Sequence, residues 1–164
     1  MKFGFVLWAN GNWGMTESLS IRPACAGDCE ILFEWRNDPD TRAASLDNVA
    51  LDTDVLLDWF SRTLDNPDRR ILIGSLGQTE IGMIRLDHIS QDDRVDVSII
   101  IAPNARGAGF GAPLLRNGLA HNPYPASHFS ATIKPTNIAS QKIFAACDFR
   151  LWRENCLILG ERKI

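Results

Sequence analysis

The chain has 164 residues, 45% of them hydrophobic and 23% charged, and carries a formal net charge of −3. That length and balance suit one globular domain with a buried core and exclude a fibrous or intrinsically disordered chain. The mild acidity argues against nucleic acid as a partner, because binding a phosphate backbone leaves a basic footprint, and no run approaches the ~20 apolar residues that span a bilayer.

The first fourteen residues differ from the rest. They hold Trp8 and Trp13 together with Gly4, Gly11 and Gly14, and Met15-Thr16-Glu17-Ser18 reads like a natural start. We therefore expect a leader over 1–14 and a single domain over 15–164. Phe3 to Ala9 is apolar after Lys2 but too short for a secretory core, and Asn10-Gly11-Asn12 breaks it. Cys25, Cys29, Cys147 and Cys156 lack the spacing and histidine partners of a zinc site, so no metal is expected. Without a secretory signal they read as free thiols, and the chain as cytoplasmic.

Leu19 to Arg22 reads as a strand ended by Pro23. Ile31, Leu32 and Trp35 give helical spacing from Asp28 to Arg36, which Asn37-Asp38-Pro39 stops. Asp52-Thr53-Asp54 offers caps for a helix carrying Val55, Leu56, Trp59, Phe60 and Leu64, which ends at Asn66-Pro67-Asp68. Arg70–Ser75 and Glu80–Asp87 read as a hairpin around Leu76-Gly77-Gln78-Thr79. Gln91-Asp92-Asp93 turns the chain into a strand from Arg94 to Ala102. A glycine-rich turn follows, then a helix from about Gly109 to Ala120. After a loop with Asn122-Pro123 and Pro125 come a strand over His128–Lys134, a helix over Ile138–Cys147 capped by Asn137, and a last strand over Phe149–Leu159. The expected class is α+β, a mixed and mostly antiparallel sheet flanked by helices.

The turn Arg106-Gly107-Ala108-Gly109-Phe110-Gly111 is the most informative stretch. A strand, glycines and a helix start together make a phosphate site, because bare backbone N–H groups and the positive end of the helix dipole converge there. Arg106 would add a charge-assisted contact to a pyrophosphate. The stretch also satisfies the dinucleotide fingerprint, but the acidic residue expected about twenty positions on is absent, where Ala131-Thr132-Ile133-Lys134 stands, and too little chain follows for a doubly wound domain. No Gly-Lys-Ser/Thr follows to make a P-loop.

The turn resembles the R/Q-x-x-G-x-G/A signature of the GNAT superfamily of acetyl-CoA-dependent N-acetyltransferases, with Arg106, Gly109 and Gly111 at the signature positions. Asn137-Ile138-Ala139-Ser140 through Phe144, with Asp148-Phe149, resembles the second family motif. The resemblance spans about Leu19 to Leu159. It implies acetyl-CoA as cofactor, held by backbone groups of Ser98, Ile99, Ile100 and Ile101, by the turn Arg106–Gly111, and by Asn137, Ser140 and Phe144. Two departures stand out. Phe144 occupies the position where many relatives carry a tyrosine that protonates the departing thiolate, and Asp148 replaces the common glycine. The single tyrosine, Tyr124, lies in a loop.

The strand after Arg94 alternates: Val95, Val97, Ile99 and Ile101 on one face, Asp96, Ser98 and Ile100 on the other. A covered central strand should be apolar on both faces, so Asp96 and Ser98 suggest a wet cleft. The resemblance makes Asp96 a candidate base, with an ion pair to Arg94 or Arg85 the alternative, and His88 the second candidate. Trp35, Arg36 and Asn37, with Asp58-Trp59-Phe60, resemble enzymes that acetylate nucleotide-linked amino sugars in pseudaminic-acid biosynthesis, although ribosomal-protein acetyltransferases share the Trp-Arg-Asn stretch. Three functions stay open: acetylation of a small amine, acetylation of a protein N-terminus, and a non-catalytic acyl-CoA-binding module. The sequence leaves the oligomeric state open, a homodimer among the options.

Overall fold

A computed structural model describes residues 18–164. The expected leader over 1–14 and a domain start near Met15 lie outside the described residues. Seven strands form one mixed sheet in the order β1-β2-β3-β4-β5-β7-β6: β1 Leu19–Pro23, β2 Arg69–Leu76, β3 Thr79–Ile89, β4 Arg94–Ile101, β5 His128–Ile133, β6 Arg150–Glu154 and β7 Leu157–Lys163. Every pairing is antiparallel except β4 with β5. The helices are α1 Cys29–Asn37, α2 Pro39–Ala44, α3 Thr53–Leu64, α4 Gly111–Ala120 and α5 Ile138–Ala145. The expected α+β class is the observed one.

Period-two alternation loads both sheet faces. On one face Leu72, Ile84, Leu86, Val95 and Val97 pack against Leu114, Leu115 and Leu119 of α4 and Phe144 of α5. On the other, Ile71, Ile73 and Met83 pack against Leu32 and Trp35 of α1 and Phe60 of α3. Leu114 and Leu115 are fully buried, worth about 1.5–3 kcal/mol each.

Three elements differ from expectation. Pro39 does not end the helical region but opens α2, with Asp38 as its N-cap accepting from Thr41 N–H at 2.9 Å. Proline at the first helical position loses no bond, since that N–H has no partner in any helix. The glycine turn runs on to Gly111 before α4 begins. The expected last strand is a hairpin, because Asn155 takes φ 52 and folds β7 back on β6. The turn hid in the sequence because Leu151-Trp152 before it and Leu157-Ile158 after it read as one strand.

The parallel pair is brief. β4 and β5 are in register only from Arg94↔His128 to Asp96↔Ser130, while β4 stays paired with β3 as far as Ile101↔Gly82. Beyond Asp96 the two strands part, and the sheet opens in the middle.

Candidate active site

The gap between β4 and β5 leaves backbone groups of β4 unpaired on one edge. Ala102 N–H donates to Ile81 O at 2.9 Å and ends the ladder with β3. In an antiparallel ladder the N–H groups alternate between edges. Those of Ser98 and Ile100 therefore face β3, that of Val97 is taken up by the Asp96↔Ser130 pairing with β5, and those of Ile99 and Ile101 face the gap. A buried unpaired N–H needs an acceptor, so this edge suits a ligand with amide and carbonyl oxygens.

The gap leads directly into the glycine turn. Gly107 and Gly109 take φ 74 and 83, the left-handed region, and an added Cβ at either would meet nothing within 4 Å. The turn is thus bare backbone facing open space at the N-terminus of α4. Gly111 serves packing, because a Cβ there would lie 2.4 Å from Ile143 Cδ1 on α5. Strand gap and turn share one cavity of about 1190 Å³, lined by Val97–Ile101, Gly107, Gly109–Ala112, Asn137, Ser140 and Phe144 among others. That volume exceeds the ~300–1,000 Å³ of a site for one small ligand, leaving room for a cofactor arm and an acceptor together.

Asn137 accepts from Ser140 N–H at 3.0 Å as the α5 cap and donates to Ala44 O of α2 at 3.2 Å. Phe144 is 3% exposed and meets Phe149 edge-to-face, with ring centroids 4.9 Å apart. It gives the cavity an apolar wall and no proton. Ala108 does not line the cavity; Gly107 and Gly109 on either side of it do.

Arg106 also lines the cavity, but its side chain is engaged by α2. Its guanidinium, expected on a pyrophosphate, donates to Asp38, donates to Thr41 Oγ1 at 2.7 Å and reaches Asp40 at 3.2 Å. These contacts bind the turn to the first turn of α2. Burial opposes ionisation of Asp38, but the Arg106 hydrogen bond and charge and the Thr41 N–H outweigh it and hold its carboxyl below the usual range.

Both candidate bases lie outside the cavity lining. Asp96 sits one pleat beyond Ser98, about 7 Å along the strand, with Arg94 Nε 2.9 Å away and the Ser130 hydroxyl donating to it. It is committed to the alternative foreseen, an ion pair with Arg94. His88 shares the face of Leu86, two residues before it, and so lies on the opposite face of the sheet from Asp96. Its Nδ1 lies 3.1 Å from Asp68, and its ring stacks on Tyr124 with centroids 5.0 Å apart. Burial pushes the Tyr124 phenol up.

Of the three expected acceptor residues, Arg36 lines the cavity while Trp35 and Asn37 do not. Trp35 is a core anchor, 4% exposed. Asn37 pins the loop before α3, donating to Leu51 O at 3.0 Å and accepting from Leu51 N–H at 2.9 Å. The lining residues not foreseen include Asp40, Thr41, Ser45 and Asp47 from α2 and its exit loop, Met83 and Arg85 from β3, and Thr132 and Lys142. Reading Asp38-Pro39 as N-cap and first helical residue would have found α2, and the alternation of Ile81, Met83, Arg85 and Asp87 would have placed Arg85 beside Ser98.

Residues 18–150 match the family model for the acetyltransferase (GNAT) domain. The chain belongs to the GNAT acetyltransferase family. This GNAT chain is an acetyl-CoA-dependent N-acetyltransferase. It superposes on a spermidine N-acetyltransferase from Vibrio cholerae in complex with CoA and spermine, at a TM-score of 0.77 and 17% identity over 89% of this chain and 94% of that one. A putative acetyltransferase from Salmonella typhimurium with acetyl-CoA gives 0.70 at 20% identity, covering 89% and 92%. A ribosomal-protein α-N-acetyltransferase with coenzyme A gives 0.76 at 12% identity, covering 92% and 96%. At these identities the likeness is one of fold. A comparison with curated protein sequences finds no match. The residues fit the cofactor: open glycines at a helix start for its phosphates, and an unpaired strand edge for its amides.

Proposed function

We propose that this GNAT enzyme acetylates the primary amine of a nucleotide-linked amino sugar. The observation that carries the reading is Arg36, which lines the acceptor side of the cavity with its side chain 19% exposed. An arginine suits the diphosphate of such a substrate, because its planar fork meets phosphate oxygens bidentately. The resemblance of the Trp35–Asn37 region to amino-sugar acetyltransferases of pseudaminic-acid biosynthesis supports the same choice.

Acetyl-CoA supplies an activated acyl group as a thioester. The chain's own residues then have three tasks. The free N–H groups of Ile99 and Ile101 would hold the pantetheine arm and would offer a donor to the oxygen on which charge develops; such a donor is worth ~10²–10³ in rate. The bare turn Gly107–Gly111 binds the pyrophosphate. The walls Met83, Ile100 and Phe144 exclude bulk water and align the amine with the acyl carbon. Asp96 lies outside the cavity lining, so water would carry the ammonium proton away, and Phe144 could offer a departing thiol group no proton.

Among the described residues no helix is long and apolar enough to cross a membrane, and all four cysteines are free thiols. We place the enzyme in the cytoplasm, where thiols stay reduced.

The test is acetyl-CoA turnover with a UDP-linked 4-amino sugar, a ribosomal-protein amino-terminal peptide and spermidine at equal concentration. The sugar is expected to react fastest. A faster peptide would move the assignment to protein N-termini.

A further inference from the structure

Two arginines enter the acceptor half of the cavity from opposite sides, Arg36 from α1 and Arg85 from the sheet floor on β3. Neither is fully paired. Arg36 Nη2 donates to the main-chain oxygen of Asp47 at 2.9 Å and stands 3.7 Å from its carboxylate, which is 68% exposed on the loop. Arg36 Nη1 is buried with no hydrogen-bond partner among the described residues. Arg85 Nε lies 2.9 Å from Asp87 Oδ2, but the N–H is not aligned for a hydrogen bond, and Asp87 is already bonded to Arg69. One carboxylate thus faces two guanidinium groups. Arg85 stands directly opposite Ser98 in the β3–β4 register, and Ser98 lines the same cavity.

A guanidinium has five N–H donors and no acceptor. When several of those donors stay unpaired in a cavity wall, the group they await is an oxyanion. The geometry points to an anion subsite formed by Arg36, Arg85 and the Ser98 hydroxyl, which takes a phosphate or carboxylate of the acceptor while its amine faces the acyl carbon. Arg85 is then the specificity residue the sequence did not disclose. A polyammonium acceptor meets positive charge on both walls. The carboxylates lining the cavity, Asp40 and Asp47, are mostly exposed, and Asp40 is engaged by Arg106. This inference rests on the reading of the acceptor as a small anionic amine and adds the residues that choose it.

The test uses enzyme saturated with coenzyme A, so that the glycine turn is occupied, and titrates in UDP by calorimetry. UDP is expected to bind the wild type, and Arg36→Gln and Arg85→Gln are each expected to weaken it about tenfold or more, with coenzyme A affinity and thermal melt as controls of folding. Arg85→Lys should fall between, since it keeps the charge and loses the fork. With the UDP-linked 4-amino sugar, Arg85→Gln should raise KM about tenfold with kcat within about twofold, the mark of a contact made equally in ground and transition states. If the UDP-sugar is acetylated but Arg85→Gln leaves its KM and UDP affinity unchanged, the subsite is wrong and the nucleotide reading stands. If UDP does not bind, yet glucosamine 6-phosphate is acetylated in an Arg85-dependent way and faster than glucosamine, the nucleotide is wrong and the subsite stands. Spermidine reacting faster than every phosphate-bearing amine would overturn both.

Discussion

Arg106 and Asp38 form an ion pair that joins the cofactor turn to the first turn of α2 across 68 residues of sequence. The other end of α2 is held from the β5–α5 corner, where Lys134 Nζ donates to Ala43 O at 3.1 Å and Asn137 to Ala44 O at 3.2 Å. A helix of six residues is marginal alone; here it is tied at both ends to elements that line the cofactor site, and it lines the cavity between them. The α2 wall of the cavity and the glycine turn are therefore one mechanical unit. Asp38→Asn keeps the N-cap but removes the charge. It should cost about 1–2 kcal/mol in chemical denaturation, below the ~1.5–3 kcal/mol of a buried charged hydrogen bond because Arg106 is partly exposed, and should raise the acceptor KM. Unchanged stability and KM would show that the tie is dispensable.

Gly109 offers the direct test of the cofactor turn. Its φ of 83 is a conformation that aspartate tolerates better than most residues, and a Cβ there clashes with nothing. Gly109→Asp should therefore fold, while placing a carboxylate where a pyrophosphate binds. Acetyl-CoA affinity measured by calorimetry should fall at least about tenfold, as expected for a like charge close to the ligand. Wild-type affinity in a folded variant would move the phosphate site elsewhere.

Asp96 separates a structural from a chemical carboxylate. Removing a general base lowers turnover by ~10²–10⁴-fold. Because Asp96 is held by Arg94 and Ser130 outside the cavity lining, Asp96→Asn should keep kcat within about threefold of wild type and lower the melting temperature instead. A hundredfold fall in kcat with an intact fold would restore Asp96 as the base, acting through water.

What the sequence disclosed and what it hid follow one physical line. The glycine turn, the two faces of β4 and the β2–β3 hairpin were legible because each rests on local chemistry: backbone freedom, period-two alternation and turn residues. The pairing of Arg106 with Asp38, the placement of Arg85 and the retreat of Asp96 were not. Each depends on which distant side chain folding brings alongside, and a charged residue reads the same in a strand whether it meets a ligand or an opposite charge. The resemblance placed Arg106 on the cofactor; in the fold its side chain is bonded to Asp38, Asp40 and Thr41 of α2 and its cap.

The acid limb of stability should trace to Asp28. Arg22 bonds its two oxygens at 2.7 Å each, Cys25 N–H adds a third bond at 2.8 Å, and together they hold its carboxyl below the ordinary value of 3.8 against the opposing effect of burial. A depressed folded pKa means stability that is complete above the unfolded value and is lost as pH falls through the folded one. The loss therefore belongs below about pH 4. Asp28→Asn should cost about 1.5–3 kcal/mol near neutrality and should flatten the dependence of melting temperature on pH in that range. An equally steep acid limb in the variant would assign it to other carboxylates.

Asp148 explains a family departure and gives a stabilising change. After α5 the chain closes with Asp148 N–H to Ala145 O at 3.2 Å and Phe149 N–H to Phe144 O at 3.2 Å, the two bonds of a Schellman motif. The residue between these bonds must take the left-handed conformation, and Asp148 does so at φ 66. That is the position where the family resemblance places glycine. The edge-to-face contact of Phe144 with Phe149 is the hydrophobic clasp of the same motif, so the aromatic wall of the cavity and the helix end are one feature. Left-handed geometry costs a side-chain-bearing residue about 1–2 kcal/mol, less for aspartate, while glycine loses more freedom on folding. Asp148→Gly should therefore stabilise the protein by about 0.5–1 kcal/mol, read as a higher denaturant midpoint with an unchanged slope. The acetyl-CoA KM should not change, since Asp148 does not line the cavity. A lower midpoint would mean that the carboxylate contributes more at this helix end than the backbone strain costs.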